Sequence, residues 1–403
     1  MRPPGVDRHT MDRYRDAGDV LRRAFRGAKV SRPSPEKAKR RSTRRKEKEA
    51  KAAARRAGAS ARPPSLPPYH ELEAMRVKYA AEHERREREG GAKPVMSGRL
   101  NGTTVVAVGG VLRYSKQWRT FADFLIDYVV GEVGTEWFQG ESEKLAADRH
   151  PLVRLRESFY EFTAAQKAEG GMIRARPSGP AYEYLLVAYE LYLVAHHMKL
   201  QRRVIDRLKN REGYEGARFE LVVAASCIKA GLLIEMEDES DISGKHPEFV
   251  ATHPPTAFRF AVEAKRRHRI VNAERTAARA DKADLSGLLT SAFKKDPALP
   301  YLVVVDVNLP PVEATDGADP DQVVKQLNAT LKRLPSEADG MEPYSVLALT
   351  NRPDLYVGVH SAAPSYWSYL QAAENPRHGG LPVEVVESLA RALQHQRDLP
   401  HDV

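Results

Sequence analysis

The segment FRFAVEAK, residues 258–265, predicts a β-strand at the centre of the fold. Side chains of a strand point alternately to its two faces, so the even-numbered residues form an apolar face, while Arg259, Glu263 and Lys265 share the other. A carboxylate beside an ammonium group suits a site that holds a divalent cation and stabilises developing negative charge. A single pair of this kind also fits a strand with one solvated face, so the neighbouring segments must decide between the two interpretations.

A second carboxylate lies just upstream. Glu248 follows Pro247 at the start of another predicted strand, and the prolines within residues 253–256 indicate the tip of a hairpin, because proline interrupts strand pairing and fixes turn geometry. We expect this hairpin to bring Glu248 alongside the strand that carries Glu263. Hard cations such as Mg²⁺ prefer oxygen ligands and rarely bind through one carboxylate alone, so the pair is a candidate metal site.

An apolar helix precedes the two strands. Residues 218–230, RFELVVAASCIKA, have helical periodicity, and Gly231 is typical of the position after a helix end. Glu220 falls on or beside the apolar stripe, where a carboxylate is costly unless it is paired with a cation or bound to a metal. Residues 232–236, LLIEM, predict a short strand after the helix.

The predicted elements between residues 214 and 309 follow the order helix, three strands, helix, buried strand. This order resembles the PD-(D/E)xK nuclease superfamily, whose restriction-endonuclease-like core has the same succession. Pro247-Glu248-Phe249 matches the first half of the superfamily motif, and Glu263-Ala264-Lys265 matches the second. The resemblance covers roughly a quarter of the chain and implies an α/β fold with a restriction-endonuclease-like mixed sheet.

The resemblance also implies a function. It predicts a metal-dependent nuclease that hydrolyses phosphodiester bonds, with DNA as the expected substrate, of the kind found in restriction, repair and anti-phage defence. Glu220, Glu248 and Glu263 would bind Mg²⁺, for which Mn²⁺ can substitute, and Glu248, Glu263 and Lys265 would be the catalytic residues. The sequence departs from the superfamily at Glu248, where aspartate is usual; this leaves the metal site in question, with Asp241 as an alternative ligand.

Basic residues point to an anionic partner. The chain has a formal net charge of +10, and residues 36–56 contain 11 basic and 3 acidic residues. Such a tract either neutralises phosphates or keeps a disordered tail in solution, and the sequence favours neither interpretation. Arg266, Arg267 and Arg269 come shortly after Glu263 and are expected to contact nucleic acid at the rim of the site, because the arginine fork suits phosphate oxygens.

The chain is predicted to have three segments. Residues 1–95 form a basic, largely disordered arm with a charged helix, residues 96–210 a hairpin followed by a helical region, and residues 211–403 the α/β domain. The further predicted elements are a hairpin that turns at Gly109-Gly110, helices at 120–131, 152–168, 181–210 and 285–295, a buried strand at 301–309, a helix from Pro320 with Asp319 as N-cap, and strands at 344–350 and 355–359.

Composition excludes several classes of protein. Cys227 is the only cysteine, so an intramolecular disulfide framework is excluded. The N-terminus has no apolar leader and the apolar run at 184–195 is too short to cross a bilayer, so a cytoplasmic protein without a membrane partner is expected. His196 and His197 would point about 100° apart on a helix and are therefore unsuited to binding one ion together.

Two other functions stay open. The same fold with an impaired metal site would serve as a nucleic-acid-binding module, and the helical region with the charged arm would suit a scaffold protein that recruits partners. A binding module keeps its affinity for DNA without Mg²⁺, whereas a scaffold shows no salt-dependent binding of nucleic acid. DNA and RNA remain alternative substrates, and a homodimer or a complex with another protein remains open.

Overall fold

The computed structural model describes most of the chain after residue 94. The described residues are 95–166, 168–169, 172–173, 175–195, 198–235, 246–268, 285–312, 319–334 and 340–400, with positions 73, 76, 77 and 80. The chain divides into two compact units, Met1–Arg76 and Val77–Val403, and the helices and strands with described bounds lie in the second. The predicted arm therefore falls almost entirely outside the described residues, as do His196, His197, Asp241 and Arg269.

An antiparallel three-stranded sheet comes first in the described chain. β1 (Met96–Leu100), β2 (Thr103–Val108) and β3 (Val111–Ser115) are joined by two-residue turns. Gly109 and Gly110 have φ values of 55° and 84°, and positive φ at both central residues is what a type I′ turn requires. The predicted hairpin is confirmed, and β1 is an additional strand.

Five helices of the described chain follow the small sheet. They are α1 (Phe121–Val133), α2 (Thr135–Ser142), α3 (Pro151–Ala164), α4 (Gly179–Val194) and α5 (Met198–Leu208), with the two-residue strands β4 (Ala168–Glu169) and β5 (Met172–Ile173) between α3 and α4. α1 begins at a capping box, in which the Thr120 hydroxyl accepts the Asp123 N–H and the Asp123 carboxylate accepts the Thr120 N–H.

The single helix predicted over residues 181–210 is wrong, because α4 and α5 are separate helices. The Ala195 N–H bonds the Tyr192 carbonyl three residues back, which ends the α-helical hydrogen-bond pattern. The Gln201 side chain of α5 donates to the Leu191 carbonyl at 3.2 Å and so satisfies an end carbonyl of α4. This side chain therefore links the two helices.

A six-stranded mixed sheet lies in the C-terminal half of the chain. Its strands, in spatial order, are β6 (Leu233–Glu235), β7 (Phe249–His253), β8 (Phe258–Arg266), β9 (Tyr301–Asp306), β10 (Val346–Asn351) and β11 (Trp367–Ala372). β6, β7 and β8 pair antiparallel, β8, β9 and β10 run parallel, and β11 is antiparallel to β10. The predicted mixed α/β sheet is confirmed.

Four further described helices pack around this sheet. They are α6 (Tyr214–Lys229) before β6, α7 (Leu285–Phe293) before β9, α8 (Pro320–Leu331) before β10 and α9 (Val383–Gln394) after β11. Gly231 follows α6 with a φ of 81°, and Asp319 accepts the Asp321 N–H at 3.0 Å as the N-cap of α8. Both helix ends agree with the sequence predictions. No described helix is both long and apolar enough to cross a membrane.

β8 is buried on both faces. Phe260, Val262 and Ala264 belong to the larger hydrophobic cluster, with residues of α4, α6 and α9, while Ala261 belongs to a smaller cluster with residues of α7 and α8. Glu263 is two residues after Ala261, so its side chain lies on the same face of β8. That side chain is 0% exposed. The interpretation of this strand as one with a solvated face is therefore wrong.

The larger cluster joins the two predicted segments 96–210 and 211–403. It contains Tyr189 of α4 together with Leu221 of α6 and Val262 of β8. The helical region and the sheet therefore share one core.

Four charged side chains form a buried network between α4, α6 and the end of β10. Arg218 contacts Glu183 at 2.7 Å and also contacts Glu190. Arg352 contacts the same two carboxylates, at 3.0 and 3.4 Å. Burial acts to raise the pKa of Glu183, but the two guanidinium groups outweigh it and lower that pKa to about 2. The carboxylate of Glu183 therefore stays charged inside the core.

The strand predicted at residues 355–359 is wrong. Asp354–Tyr356 is a 3-10 helix, in which the Tyr356 N–H bonds the Pro353 carbonyl at 2.9 Å. The buried Asp354 carboxylate accepts from Arg397 at 2.5 Å, and this ion pair holds the segment against the C-terminal part of the chain. β11 takes the position next to β10 instead.

His150 gives the protein a predicted pH dependence of stability. Its Nδ1 accepts the Leu152 N–H at 3.2 Å at the start of α3, and its ring packs against Trp137 and Tyr214. Burial lowers the pKa of His150 to about 4, with Glu141 opposing the shift. The unfolded chain takes up a proton on His150 near pH 6.5, whereas the folded chain does so only near pH 4. As the pH falls from about 6.5 to about 4, this residue should therefore lower the free energy of unfolding by about 1.4 kcal/mol per pH unit.

The comparison is urea unfolding of the wild type and of His150→Asn, which keeps an N-cap acceptor but does not titrate. The stability advantage of the wild type should shrink as the pH is lowered from about 7 to about 4.5. An advantage that stays constant over this range would contradict a buried neutral histidine.

Candidate active site

Glu248 and Glu263 lie side by side across the hairpin of β7 and β8. The Glu248 N–H donates to the Val262 carbonyl at 3.0 Å, and the next residue, Phe249, pairs with Val262. Antiparallel pairing therefore places residue 248 opposite residue 263, on the same face of the sheet.

Lys295 connects these two carboxylates. Its Nζ lies 3.2 Å from Glu248 Oε1 and 2.9 Å from Glu263 Oε2. Lys265, two residues along β8, places its Nζ 2.6 Å from the other oxygen of Glu263. Both lysine side chains are 20% exposed, so the ammonium groups lie between solvent and a fully buried carboxylate.

Glu220 joins the site from α6 through an arginine. Arg207 of α5 donates two hydrogen bonds to Glu220, one of them from Nη2 to Oε1 at 2.6 Å. The same guanidinium group lies 3.7 Å from Glu248 Oε2. Acidic and basic groups thus alternate along one row, which we call the charge row, in the order Glu220, Arg207, Glu248, Lys295, Glu263 and Lys265.

A small cleft opens beside the charge row. Its walls include Arg203 and Arg207 of α5 together with Glu220 and Glu248. Burial, followed by repulsion from Arg207, lowers the pKa of Arg203. Two arginines and two carboxylates therefore line the cleft, so the formal charges of its walls balance.

Burial and repulsion between carboxylates raise the pKa values of two carboxyl groups of the site, Glu220 and Glu263. Burial, followed by repulsion from Glu248, raises the pKa of Glu220 to about 7 and also raises the pKa of Glu263. Burial acts to lower the pKa of Lys295, but attraction to Glu248 and Glu263 outweighs it and the pKa is raised. Lys295 therefore stays protonated between Glu248 and Glu263, and the raised pKa values of Glu220 and Glu263 reflect the crowding of carboxylates in a buried site.

The donor set agrees in kind with a hard divalent cation. Three carboxylates supply the oxygen ligands that Mg²⁺ prefers. Neither buried oxygen of Glu263 has a partner with hydrogen-bond geometry, although a lysine nitrogen lies within 2.9 Å of each. Among the described residues, no group of three or more His, Cys, Asp or Glu side chains is arranged to hold a metal ion. Arg207 and Lys295 lie between the carboxylates and already neutralise them.

The structure brings together the four residues on which the predicted site depends, Glu220, Glu248, Glu263 and Lys265. No family model, curated protein or solved structure matches this chain. The contacts within the charge row are therefore the basis for assigning its chemistry.

Two members of the charge row are additions to the sequence prediction. Lys295 is the last residue of the predicted helix 285–295, and Arg207 lies within the predicted helix 181–210, where basic residues are ordinary surface groups. A signal for Lys295 is its place between α7 and β9, the strand parallel to β8. Arg207 has no such signal, because its contact with Glu220 depends on how α5 packs against α6.

The arginines predicted at the rim differ in their positions. Arg266 is turned into the fold, with a side chain that is 6% exposed and an Nε 3.3 Å from Asp306 Oδ2, so it does not lie at the rim. Arg267 is half-buried and donates to the Asn308 carbonyl at 3.3 Å. Arg269 falls outside the described residues. A contact with nucleic acid through Arg267 stays a prediction.

Proposed function

We propose that this protein is a metal-dependent nuclease that hydrolyses phosphodiester bonds, with DNA as the expected substrate and Mg²⁺ as the ion. The observation that carries the proposal is the convergence of Glu220, Glu248, Glu263 and Lys265, from one helix and two strands, on a single charge row. Carboxylates along one row, with an ammonium group beside them, suit metal-assisted attack of water on a phosphodiester.

The order of elements supports the proposal. Among the described elements, the order along the chain is α6, the antiparallel strands β6, β7 and β8, then α7 and β9, the order expected for the core of the PD-(D/E)xK superfamily. Glu220 lies on the helix and Glu263 and Lys265 on the third strand.

The residues have distinct roles in the proposed reaction. Glu220, Glu248 and Glu263 would hold the ion, which supplies Lewis-acid activation of the water and the phosphate. Lys265 is held 2.6 Å from Glu263, so its ammonium group is positioned before substrate binds and can stabilise the negative charge that develops on the phosphate oxygens. Because Glu263 is buried, these electrostatic interactions are stronger than the same interactions in water.

The test is incubation of the full chain with supercoiled plasmid, linear duplex DNA, single-stranded DNA and RNA, each with Mg²⁺, Mn²⁺ or EDTA. We expect cleavage of at least one substrate with a divalent ion and no cleavage with EDTA. Lys265→Ala protein, purified in the same way, reports any contaminating nuclease. Substrates that stay intact under every condition would contradict the proposal.

A nucleic-acid-binding module is the second candidate function. It is favoured by two observations: every carboxylate of the charge row already has an arginine or lysine partner, and Glu248 stands where aspartate is usual in the superfamily. Fluorescence anisotropy with labelled duplex DNA in EDTA separates the candidates. A binding module keeps an affinity that falls steeply with salt and cleaves nothing when Mg²⁺ is added.

A further inference from the structure

Lys295 is the member of the charge row that joins two carboxylates of the sheet. Its ammonium nitrogen lies 3.2 Å from Glu248 and 2.9 Å from Glu263. Lys265, by contrast, is within ion-pair distance of Glu263 alone among the contacts of the described residues. The nitrogen of Lys295 therefore stands between the two carboxylates, where a shared cation would be bound.

The backbone around Lys295 is fixed by the end of α7. Its N–H bonds the Ala292 carbonyl at 3.1 Å, and the buried Tyr301 hydroxyl donates to the same carbonyl at 3.1 Å. Tyr301 begins β9, which pairs with β8. The segment that carries Lys295 is thus tied to the strand next to β8, and from there the Lys295 side chain reaches both carboxylates.

An ammonium group and a divalent ion compete for the same pair of carboxylates. Mg²⁺ binds carboxylate oxygens at about 2.1 Å, and a second cation held at about 3 Å from those oxygens would be repelled by it. Without any cation, Glu248 and Glu263 would repel each other across one strand spacing. Arg207 and Lys265 contact the other oxygens, Glu248 Oε2 and Glu263 Oε1. The two oxygens that Lys295 binds therefore share one cation.

We propose that Lys295 is a built-in counterion that holds Glu248 and Glu263 together in the metal-free protein and is displaced when a divalent ion binds. This inference rests on the proposed metal site and adds its regulation: the energy of the Lys295 contacts sets the ion concentration at which the site loads. The charge row is then stable without metal and becomes reactive only after the exchange.

The first test is direct titration of the full chain with Mn²⁺, with free Mn²⁺ counted by electron paramagnetic resonance. Lys295→Met should bind Mn²⁺ more tightly than the wild type by on the order of tenfold, equivalent to about 1.4 kcal/mol. Lys294→Met is the matched control, because Lys294 is the exposed neighbour and its loss changes the net charge equally. Equal affinity of the wild type and Lys295→Met, or weaker binding by the variant, would overturn the inference.

The second test uses the wild type alone and so does not depend on how a variant folds. Lysines are labelled with an amine-reactive reagent, and the labelling rate of each is read by mass spectrometry with and without Mg²⁺. We expect the rate at Lys295 to rise several-fold with Mg²⁺ while the rate at Lys294 stays constant. No response at Lys295 would contradict displacement.

The two proposals can fail separately. Tighter Mn²⁺ binding by Lys295→Met in a protein that cleaves no substrate would support the counterion and reject the nuclease. Metal-dependent cleavage by a protein whose Mn²⁺ affinity is unaffected by Lys295→Met would support the nuclease and reject the counterion.

Discussion

Replacing Lys265 by alanine is expected to slow cleavage by about 10²- to 10³-fold at saturating Mg²⁺, the loss typical of one preorganised group that stabilises transition-state charge. Lys265 contacts Glu263 at 2.6 Å and is 20% exposed, so its removal leaves the core intact and takes away a charge at the opening of the site. The measurement is single-turnover cleavage of the substrate identified in the activity assay. Circular dichroism confirms that the variant is folded.

Arg259→Ala is the matched control for this experiment. Arg259 lies on the same strand and the same face of that strand as Lys265. Its partner Glu235, at 3.0 Å, is exposed. Its loss removes one positive charge without touching the charge row, so cleavage should stay close to the wild-type rate. A Lys265→Ala protein that cleaves as fast as Arg259→Ala would contradict the role assigned to Lys265.

Glu263→Gln separates the function of the carboxylate from its packing. The amide has nearly the same shape as the buried carboxylate but carries no charge, so Mn²⁺ binding should weaken together with cleavage. Lys265→Ala should instead retain Mn²⁺ binding, because the ammonium group is not a ligand. Loss of cleavage in both variants, with loss of Mn²⁺ binding in Glu263→Gln alone, is the expected pattern.

Arg218→Met is expected to lower the free energy of unfolding by about 3–5 kcal/mol, the cost of breaking a buried ion pair by removing one partner. Arg218 is 1% exposed and contacts Glu183 and Glu190. Arg352 still contacts both carboxylates, but this network then holds one positive charge against two negative charges. Urea unfolding at neutral pH measures the effect.

The exposed pair of Arg259 and Glu235 again supplies the control. Arg259→Met removes an ion pair of similar length, but solvent screens it, and such pairs contribute about 0–1 kcal/mol. A loss of stability in Arg218→Met no larger than in Arg259→Met would mean that the buried charges are replaceable by an apolar side chain at little cost.

Local patterns in the sequence predict much of the fold. The alternation of residues 258–265 predicts β8, and the helical periodicity ending at Gly231 predicts α6, because each pattern reports burial within one element. The carboxylates of the site are also predictable, since a short hairpin is enough to bring Glu248 and Glu263 together.

The remainder depends on packing between distant segments. Arg207 reaches Glu220 and Glu248 from α5, and Lys295 reaches Glu248 and Glu263 from the segment after α7. These contacts depend on how the helices pack against the sheet. Glu190 interrupts an apolar helix and looks unfavourable in the sequence, yet it is compensated by Arg218 and Arg352 from two other elements. No glycine or proline in residues 192–201 marks the separation of α4 from α5, and Gln201 of α5 bonds a carbonyl near the end of α4.

Because the helical region and the sheet share one core, we expect that neither can be separated from the other as a stable fragment. A fragment that begins at residue 211 would lose the partners of α6 in α4, including Glu183 and Glu190, and Arg218 would be stranded in a newly opened apolar surface. The helices that precede the sheet therefore complete its core and supply the partners of its buried arginine. A recombination event that moved the charge row to another gene would have to carry both halves.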